Sequence, residues 1–177
     1  MNRSYLATFT LGATAAIAMA GAAMAQEVTN RVAADTDWAV FEVESPKECW
    51  AVTAPKETVN TRDGRVVSVR RGDILLFVTW RPEKSIAGEI SFTGGYPFAE
   101  GSTVTMDISG TTFELFTEGE YAWPATPTED QKIISAIKRG ANAVLTARSS
   151  RGTQTKDTFS LLGATAMIED AEQRCAS

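Results

Sequence analysis

The chain has 177 residues, of which 22 are acidic, 17 are basic and none is histidine, and its formal net charge is −5. Without histidine the chain cannot carry a Ser-His-Asp or Cys-His catalytic group, a histidine-ligated zinc site or a histidine-based pH switch. The negative charge argues against nucleic-acid binding, and 44% apolar with 22% charged residues is typical of a globular domain.

The first 25 residues have the pattern of an export signal. Arg3 is followed by an uncharged apolar stretch at residues 6–20 and by a small-x-small cleavage site that ends at Ala25. A membrane anchor is the alternative, but the stretch is shorter and less apolar than the ~20 residues that a transmembrane helix needs. We therefore expect cleavage near Ala25, which leaves 152 of the 177 residues as a periplasmic or secreted chain. Residues 26–36 have no periodicity, and we expect a flexible leader there.

From residue 37 onward, short runs of β-type residues alternate with turn signals about every 8–12 residues. This spacing predicts one mainly β domain over residues 37–177, an antiparallel β-sandwich-like fold with two short helices. Asp63-Gly64 is a hairpin turn signal. Residues 74–80 are apolar on both faces, which predicts a central strand. The predicted strands cover residues 38–43, 49–54, 65–71, 74–80, 89–93, 103–108, 111–117, 143–148 and 155–161.

Two segments have helical patterns. Residues 128–139 begin with a predicted capping box from Thr128 to Gln131, continue with a buried isoleucine stripe, and end before Gly140 at the C′ position. The second predicted helix covers residues 164–174, where apolar residues recur on one face and place Cys175 on the buried side.

The chain has two cysteines, Cys49 and Cys175, far apart in sequence. In an exported protein a pair of this kind most simply forms a disulfide, and two buried free thiols are the alternative. The predicted buried position of Cys175, facing the sheet that contains Cys49, favours the bond.

No residue pattern predicts a catalytic, cofactor or metal site. Ser135 and Lys138 match Ser-x-x-Lys, but the other elements of that active site are missing. Glycoside hydrolysis needs two carboxylates, and the nearest pairs are Glu118 with Glu120 in a turn and Glu129 with Asp130 in a helix cap. Exposed acids are the better interpretation of both pairs.

Two further patterns are weak candidates for binding. Arg71-Gly72-Asp73 could act as an adhesive tripeptide if it were presented on a hairpin tip, and ordinary turn chemistry is the alternative. Arg148, Arg151 and Lys156 surround a Ser/Gly/Thr loop and could bind an anion, although a solvated loop is the interpretation that the composition favours.

Several short segments follow one another in a recognisable order over residues 37–175. They are Trp38, Cys49-Trp50-Ala51-Val52, Arg71-Gly72-Asp73 before residues 75–80, Gly95-Tyr96-Pro97-Phe98, Ala122-Trp123, the helix at 133–140, Ser149-Ser150-Arg151-Gly152-Thr153, Asp157-Thr158-Phe159-Ser160-Leu161 and Cys175. Together they resemble the invasion associated locus B family, secreted or periplasmic proteins of Gram-negative bacteria. The resemblance implies export, one compact domain and paired cysteines, and it implies no catalytic residues.

The expected function is therefore that of a non-enzymatic protein in the periplasm or at the envelope surface, acting by binding, in envelope maintenance or in host interaction. The expected partner is an unidentified protein or envelope component, with no cofactor, no nucleic acid and no membrane span in the mature chain. The alternative is a hydrolase of envelope glycans that uses paired carboxylates.

Overall fold

A computed structural model describes residues 30–176 of the chain. The predicted export signal at residues 1–25 and the first part of the predicted leader, residues 26–29, lie outside the described residues. The described part contains twelve strands, two α-helices and one short 3₁₀ turn at Pro82–Lys84. Their bounds are β1 (Arg31–Asp35), β2 (Trp38–Glu44), β3 (Lys47–Thr53), β4 (Glu57–Arg62), β5 (Arg65–Val66), β6 (Leu75–Arg81), β7 (Ile86–Thr93), β8 (Thr103–Ile108), β9 (Thr111–Glu118), β10 (Tyr121–Trp123), α1 (Pro127–Ile137), β11 (Asn142–Arg148), β12 (Gln154–Ser160) and α2 (Ala164–Ala176).

The strands form one continuous antiparallel sheet in the order β1-β2-β3-β6-β7-β10-β9-β8-β11-β12-β4-β5. Four strands separate β7 from β12 in this order, yet Phe92 of β7 contacts Phe159 of β12 edge-on, with ring centroids 6.1 Å apart. The sheet therefore curls until distant strands face each other across a shared core. The predicted antiparallel, mainly β fold with two helices is confirmed, and its facing layers belong to a single curved sheet.

The predicted central strand is β6, which lies between β3 and β7. Leu76, Val78 and Trp80 point into the core, while Phe77 on the opposite face is half-buried. The double-sided apolar pattern therefore identified a strand that has a neighbour on each side.

Two segments differ from the sequence predictions, and a predicted turn between them is confirmed. Residues Arg31–Asp35 of the predicted leader form β1, which pairs with β2, so the leader prediction is wrong for this part. The predicted Asp63-Gly64 turn does join β4 to β5, and both of its residues have a positive φ, 50° and 73°. The strand predicted at 65–71, however, ends after Val66.

Both predicted helices are present, but the start of α1 differs. Thr126 is the N-cap: its Oγ1 accepts a hydrogen bond from the amide of Glu129 at 3.3 Å, and Ala125 N–H donates to Glu129 Oε2 at 3.2 Å. The capping box thus begins two residues earlier than predicted, because Pro127 fits the first helical position. Gly140 has no positive φ. A Cβ at this position would lie 2.7 Å from Ile108 Cγ2, so close packing requires glycine there.

The disulfide is present, as predicted. Cys49 of β3 and Cys175 of α2 are bonded, with Cα atoms 5.9 Å apart, within the range that the bond requires. Arg174, next to Cys175, binds Glu42 of β2 at 3.1 Å. The end of α2 is therefore fixed to the sheet at two adjacent residues. Neither helix in the described part of the chain is long and apolar enough to cross a membrane.

Candidate functional site

The arginine cleft is an open cavity of about 480 Å³ that four arginines line: Arg62, Arg70, Arg71 and Arg151. Its walls come from the end of β4, the loop between β5 and β6, the segment that follows β7, the turn between β9 and β10, and the β11–β12 turn with the start of β12. These segments are far apart in sequence, and the curl of the sheet brings them together. Loops that a rigid scaffold holds in place are common positions for binding residues.

The base of the arginine cleft is a buried ion pair between Arg71 and Asp157. Arg71 Nη1 and Nη2 donate to the two carboxylate oxygens of Asp157 at 2.7 and 2.6 Å. Arg71 Nε also donates to the carbonyl of Gly94 at 2.8 Å. The two side chains are 6% and 0% exposed. Two parallel charge-assisted bonds define the guanidinium plane, so Arg71 connects β12 to the end of β7.

The Arg71-Gly72-Asp73 tripeptide lies beside this base and not at a hairpin tip. The amide of Gly72 donates to the carbonyl of Gly95 at 2.9 Å. Gly95 has a φ of +70°, and a Cβ on it would lie 2.6 Å from the Gly72 oxygen, so only glycine permits this approach. Gly72 and Asp73 are exposed, but Arg71 points inward. An adhesive tripeptide needs both charged side chains outward, and this geometry is not found.

Tyr96 forms a wall of the arginine cleft and keeps Arg71 in place. The Arg71 guanidinium carbon lies 5.0 Å from the Tyr96 ring centroid, a cation–π distance. The Tyr96 hydroxyl shares a 2.5 Å hydrogen bond with Thr155 Oγ1 on β12, and Phe98 packs edge-on against the ring at 5.2 Å. Burial raises the pKa of Tyr96 above its ordinary value.

Hydrogen bonds also fix the turn that carries Arg151. Ser149 N–H donates to the carbonyl of Thr153 at 2.8 Å, and Thr153 N–H donates to Ser149 Oγ at 3.1 Å. Ser150 N–H donates to the carbonyl of Pro97 at 2.9 Å on the opposite wall. The backbone below Arg151 is therefore tied to the segment that follows β7.

The other three guanidinium groups differ from Arg71 because no carboxylate in the described part of the chain pairs with them. Arg62 Nη2 donates to the neutral Thr153 hydroxyl at 2.7 Å. Arg70 and Arg151 are exposed and have no hydrogen bond or ion pair within residues 30–176. Glu120 is the one carboxylate among the described lining residues. The cleft is thus locally positive in a chain of net charge −5.

The predicted cluster of Arg148, Arg151 and Lys156 is only partly brought together. Arg151 lines the arginine cleft, whereas Arg148 lines a neighbouring polar groove with Thr146 and Gln154. Lys156 is exposed and follows Thr155, which faces inward, so the alternation of a strand directs it away from the cleft.

Sequence reasoning missed two residues of the site, Arg62 and Arg70. Arg62 ends β4, a strand that the sequence pattern did not reveal. Arg70 precedes Arg71 in a stretch expected to be strand, and the Arg-Arg-Gly run was the one local signal that could have identified it.

The predicted acid pairs do not form a two-carboxylate site in this cleft. Glu118 is exposed on β9, and Glu120 alone reaches the lining. Glu129 and Asp130 lie in the first turn of α1. Asp130 is buried and accepts a hydrogen bond from Ile90 N–H of β7 at 2.8 Å. Burial raises its pKa to about 6, and the negative charges of Glu89 and Glu129 act in the same direction.

A second concavity on the outer face of the sheet, about 320 Å³, is lined by Trp50, Phe77 and Tyr121 among others. Its one arginine, Arg81, is already bound to Glu48 at 2.5 Å and to Glu89 at 3.1 Å. The arginine cleft is therefore the stronger candidate, since its cations are available to a ligand.

No group of three acidic or cysteine side chains that could hold a metal ion occurs within residues 30–176. No protein-family model, curated protein or solved structure matches the chain.

Proposed function

We propose that this chain is an exported, non-enzymatic binding protein of the invasion associated locus B type, and that the arginine cleft binds an anionic ligand in the periplasm or at the envelope surface. The observation that carries the proposal is the pair Arg70 and Arg151, exposed in one cleft and without a counter-charge among the described residues. Envelope maintenance or host interaction would then depend on the ligand that the cleft binds.

The construction of the cleft supports binding. Arginine offers a planar fork of donors that matches carboxylate and phosphate oxygens. Asp157, Gly94 and Asn60 hold the guanidinium of Arg71, while those of Arg70 and Arg151 stay open. Because the bonds from Ser149 and Ser150 already fix the turn below Arg151, a ligand would order little more than the side chains themselves, which lowers the entropic cost of binding.

The same lining favours binding over glycan hydrolysis. A two-carboxylate glycosidase holds its acids about 5–10 Å apart across the bond that it cleaves. The arginine cleft supplies Glu120 as a single carboxylate beside four guanidinium groups, a composition suited to holding a negative charge.

Export is supported by the sequence pattern of residues 1–25 and by the Cys49–Cys175 bond. Disulfides persist in oxidising compartments such as the periplasm. Expression of the full chain followed by fractionation and intact-mass measurement tests this part. We expect a periplasmic or secreted form that begins at Gln26, and a form that retains residues 1–25 would contradict export.

The binding part is tested by titrating the mature protein with pyrophosphate while recording amide NMR spectra. We expect the largest shifts at residues 149–153 and 95–97, and weaker binding as salt rises, because exposed charges are screened. The double variant Arg70→Gln/Arg151→Gln should weaken binding at least about tenfold. Arg65→Gln/Arg148→Gln removes the same charge outside the cleft and should change it less than about twofold. Equal losses in the two variants would show non-specific attraction and refute the proposal.

A further inference from the structure

We infer that the ligand of the arginine cleft is an organic phosphomonoester of about monosaccharide size, whose phosphate binds the open guanidinium groups while its organic body lies on the apolar wall. This inference rests on the proposed function and adds the ligand class. It is argued from the charge of the cleft, the geometry of its donors and the space that they enclose.

The charge balance of the cleft indicates a dianion. Arg71 is neutralised by Asp157, so Arg62, Arg70 and Arg151 remain as cations, and Glu120 offsets one of them. The net charge of these four described side chains is therefore about +2, three cations minus one anion. A phosphomonoester carries close to two negative charges above its second pKa of about 6, whereas a sulfate ester or a single carboxylate carries one.

The donors suit a group with three terminal oxygens. Each guanidinium can donate two parallel hydrogen bonds to neighbouring phosphate oxygens. Arg62 at the end of β4 lies beside the β11–β12 turn that carries Arg151, and Arg70 comes from the loop before β6. The exposed hydroxyl of Ser150, also in the lining, is a further donor. Together these groups offer more donors than the three terminal oxygens of one phosphate require.

The size of the cleft argues against a free oxyanion as the ligand. A phosphate group fills roughly two to three water volumes, about 60–90 Å³, while the cleft measures about 480 Å³. The space that remains is bounded by Val69 and Pro97, which are exposed apolar surfaces, and by Tyr96. An organic body attached to the phosphate would cover this wall and exclude water from the ion pairs.

Calorimetric titration of the mature protein at about pH 8 tests the inference with matched probes: glucose 6-phosphate, glucose 6-sulfate, methyl glucoside and inorganic phosphate. We expect glucose 6-phosphate to bind at least about tenfold more tightly than inorganic phosphate and glucose 6-sulfate, and methyl glucoside not to bind. Lowering the pH to about 5 should weaken glucose 6-phosphate binding as the phosphate takes up its second proton. Asp130→Asn, remote from the cleft, should show the same pH dependence.

A substitution on the apolar wall tests the contact with the organic part of the ligand separately from the contacts with its phosphate. Val69→Ser should weaken glucose 6-phosphate binding about fivefold or more and leave inorganic phosphate binding unchanged. Val66→Ser is the matched control, since Val66 is 78% exposed and does not line the cleft. Equal effects of the two substitutions would overturn the contact with the organic body.

The outcomes distinguish the inference from the proposed function. If pyrophosphate binds at the arginine cleft but glucose 6-phosphate binds no better than inorganic phosphate, the ligand class is wrong and the proposed function stands. Equal affinity for glucose 6-sulfate would refute the inference that the cleft selects a dianionic ligand. Binding to vesicles that contain phosphatidic acid without binding to glucose 6-phosphate would assign the phosphate to a lipid and overturn the saccharide-sized body. If no anion binds, both proposals fail.

Discussion

Asp157 and Asp130 are both buried carboxylates, yet their surroundings differ. Asp157 is fully buried on β12 and receives two hydrogen bonds from the guanidinium of Arg71. Asp130 is 8% exposed at the start of α1, accepts one hydrogen bond from Ile90 N–H, and is acted on by the negative charges of Glu89 and Glu129. Asp157 is compensated by a cation, whereas Asp130 forms no ion pair within residues 30–176.

The paired carboxylate supports the base of the arginine cleft, whereas the unpaired one attaches α1 to β7. The two hydrogen bonds from Arg71 to Asp157 give the arginine cleft a fixed base. The raised pKa of Asp130 means that the contact between α1 and β7 changes charge near pH 6. The attachment of α1 to β7 should therefore depend on pH.

Removing Arg71 should have the largest effect on stability. Arg71→Met leaves Asp157 buried without its counter-ion, and we expect a loss of about 3–5 kcal/mol in the free energy of unfolding, measured by urea denaturation. Arg71→Met/Asp157→Leu replaces both charges with apolar groups and should recover much of this loss. A loss below about 1 kcal/mol in the single variant would show that the pair is not an anchor.

The Cys49–Cys175 disulfide contains no titratable group. Its contribution to stability is therefore a pH-independent reference for the Arg71–Asp157 pair and the Asp130 contact. Cys175→Ser should lower the free energy of unfolding by about 2–4 kcal/mol, chiefly because the unfolded chain loses a constraint. We expect the loss to be equal at pH 5 and pH 8 by urea denaturation. A loss that depends strongly on pH would show that α2 is held mainly by ion pairs such as Arg174 with Glu42.

Replacing Asp130 should have the smallest effect and a clear pH dependence. Since its folded-state pKa is raised from 3.8 to about 6, the folded state binds the proton more tightly, and this contribution to stability is lost as pH rises from about 4 to about 6. Asp130→Asn cannot ionise, and its amide oxygen can still accept from Ile90 N–H.

Relative to the parent protein, Asp130→Asn should therefore gain about 2 kcal/mol on going from pH 4 to pH 7. Urea denaturation of both proteins across this pH range measures their free energies of unfolding. Subtracting one from the other cancels the contributions of the other acids. If the difference in free energy of unfolding between Asp130→Asn and the parent did not change with pH, the carboxyl group of Asp130 in the parent would be adequately solvated.

The sequence predicted those parts of the fold that local pattern determines. The two apolar faces of β6 and the buried face of α2 that carries Cys175 are periodic signals. The edge-region strands were missed because β1 and β4 are largely exposed and lack apolar alternation. The capping box was displaced because the Thr-Pro-Thr-Glu segment offers two threonines as N-cap.

The candidate site was less predictable because it depends on contacts between distant residues. Arg71 and Asp157 are 86 positions apart, and no periodicity connects an arginine in one loop to a carboxylate on another strand. Arg151 was identified as a possible anion ligand from its loop composition. Arg62 and Arg70 lie beside it because the curled sheet brings β4 and the loop before β6 next to the β11–β12 turn.

Arginine side-chain NMR of the mature protein, recorded before and after addition of pyrophosphate, tests the central claim most directly. The account predicts that the Nε–H signal of Arg71, which donates to the carbonyl of Gly94, is sharp without ligand and unchanged by it. The signals of Arg70 and Arg151 should sharpen and shift only when the anion binds. Uniform changes in arginines across the surface, or no change at Arg70 and Arg151 at saturating pyrophosphate, would contradict an anion-binding cleft.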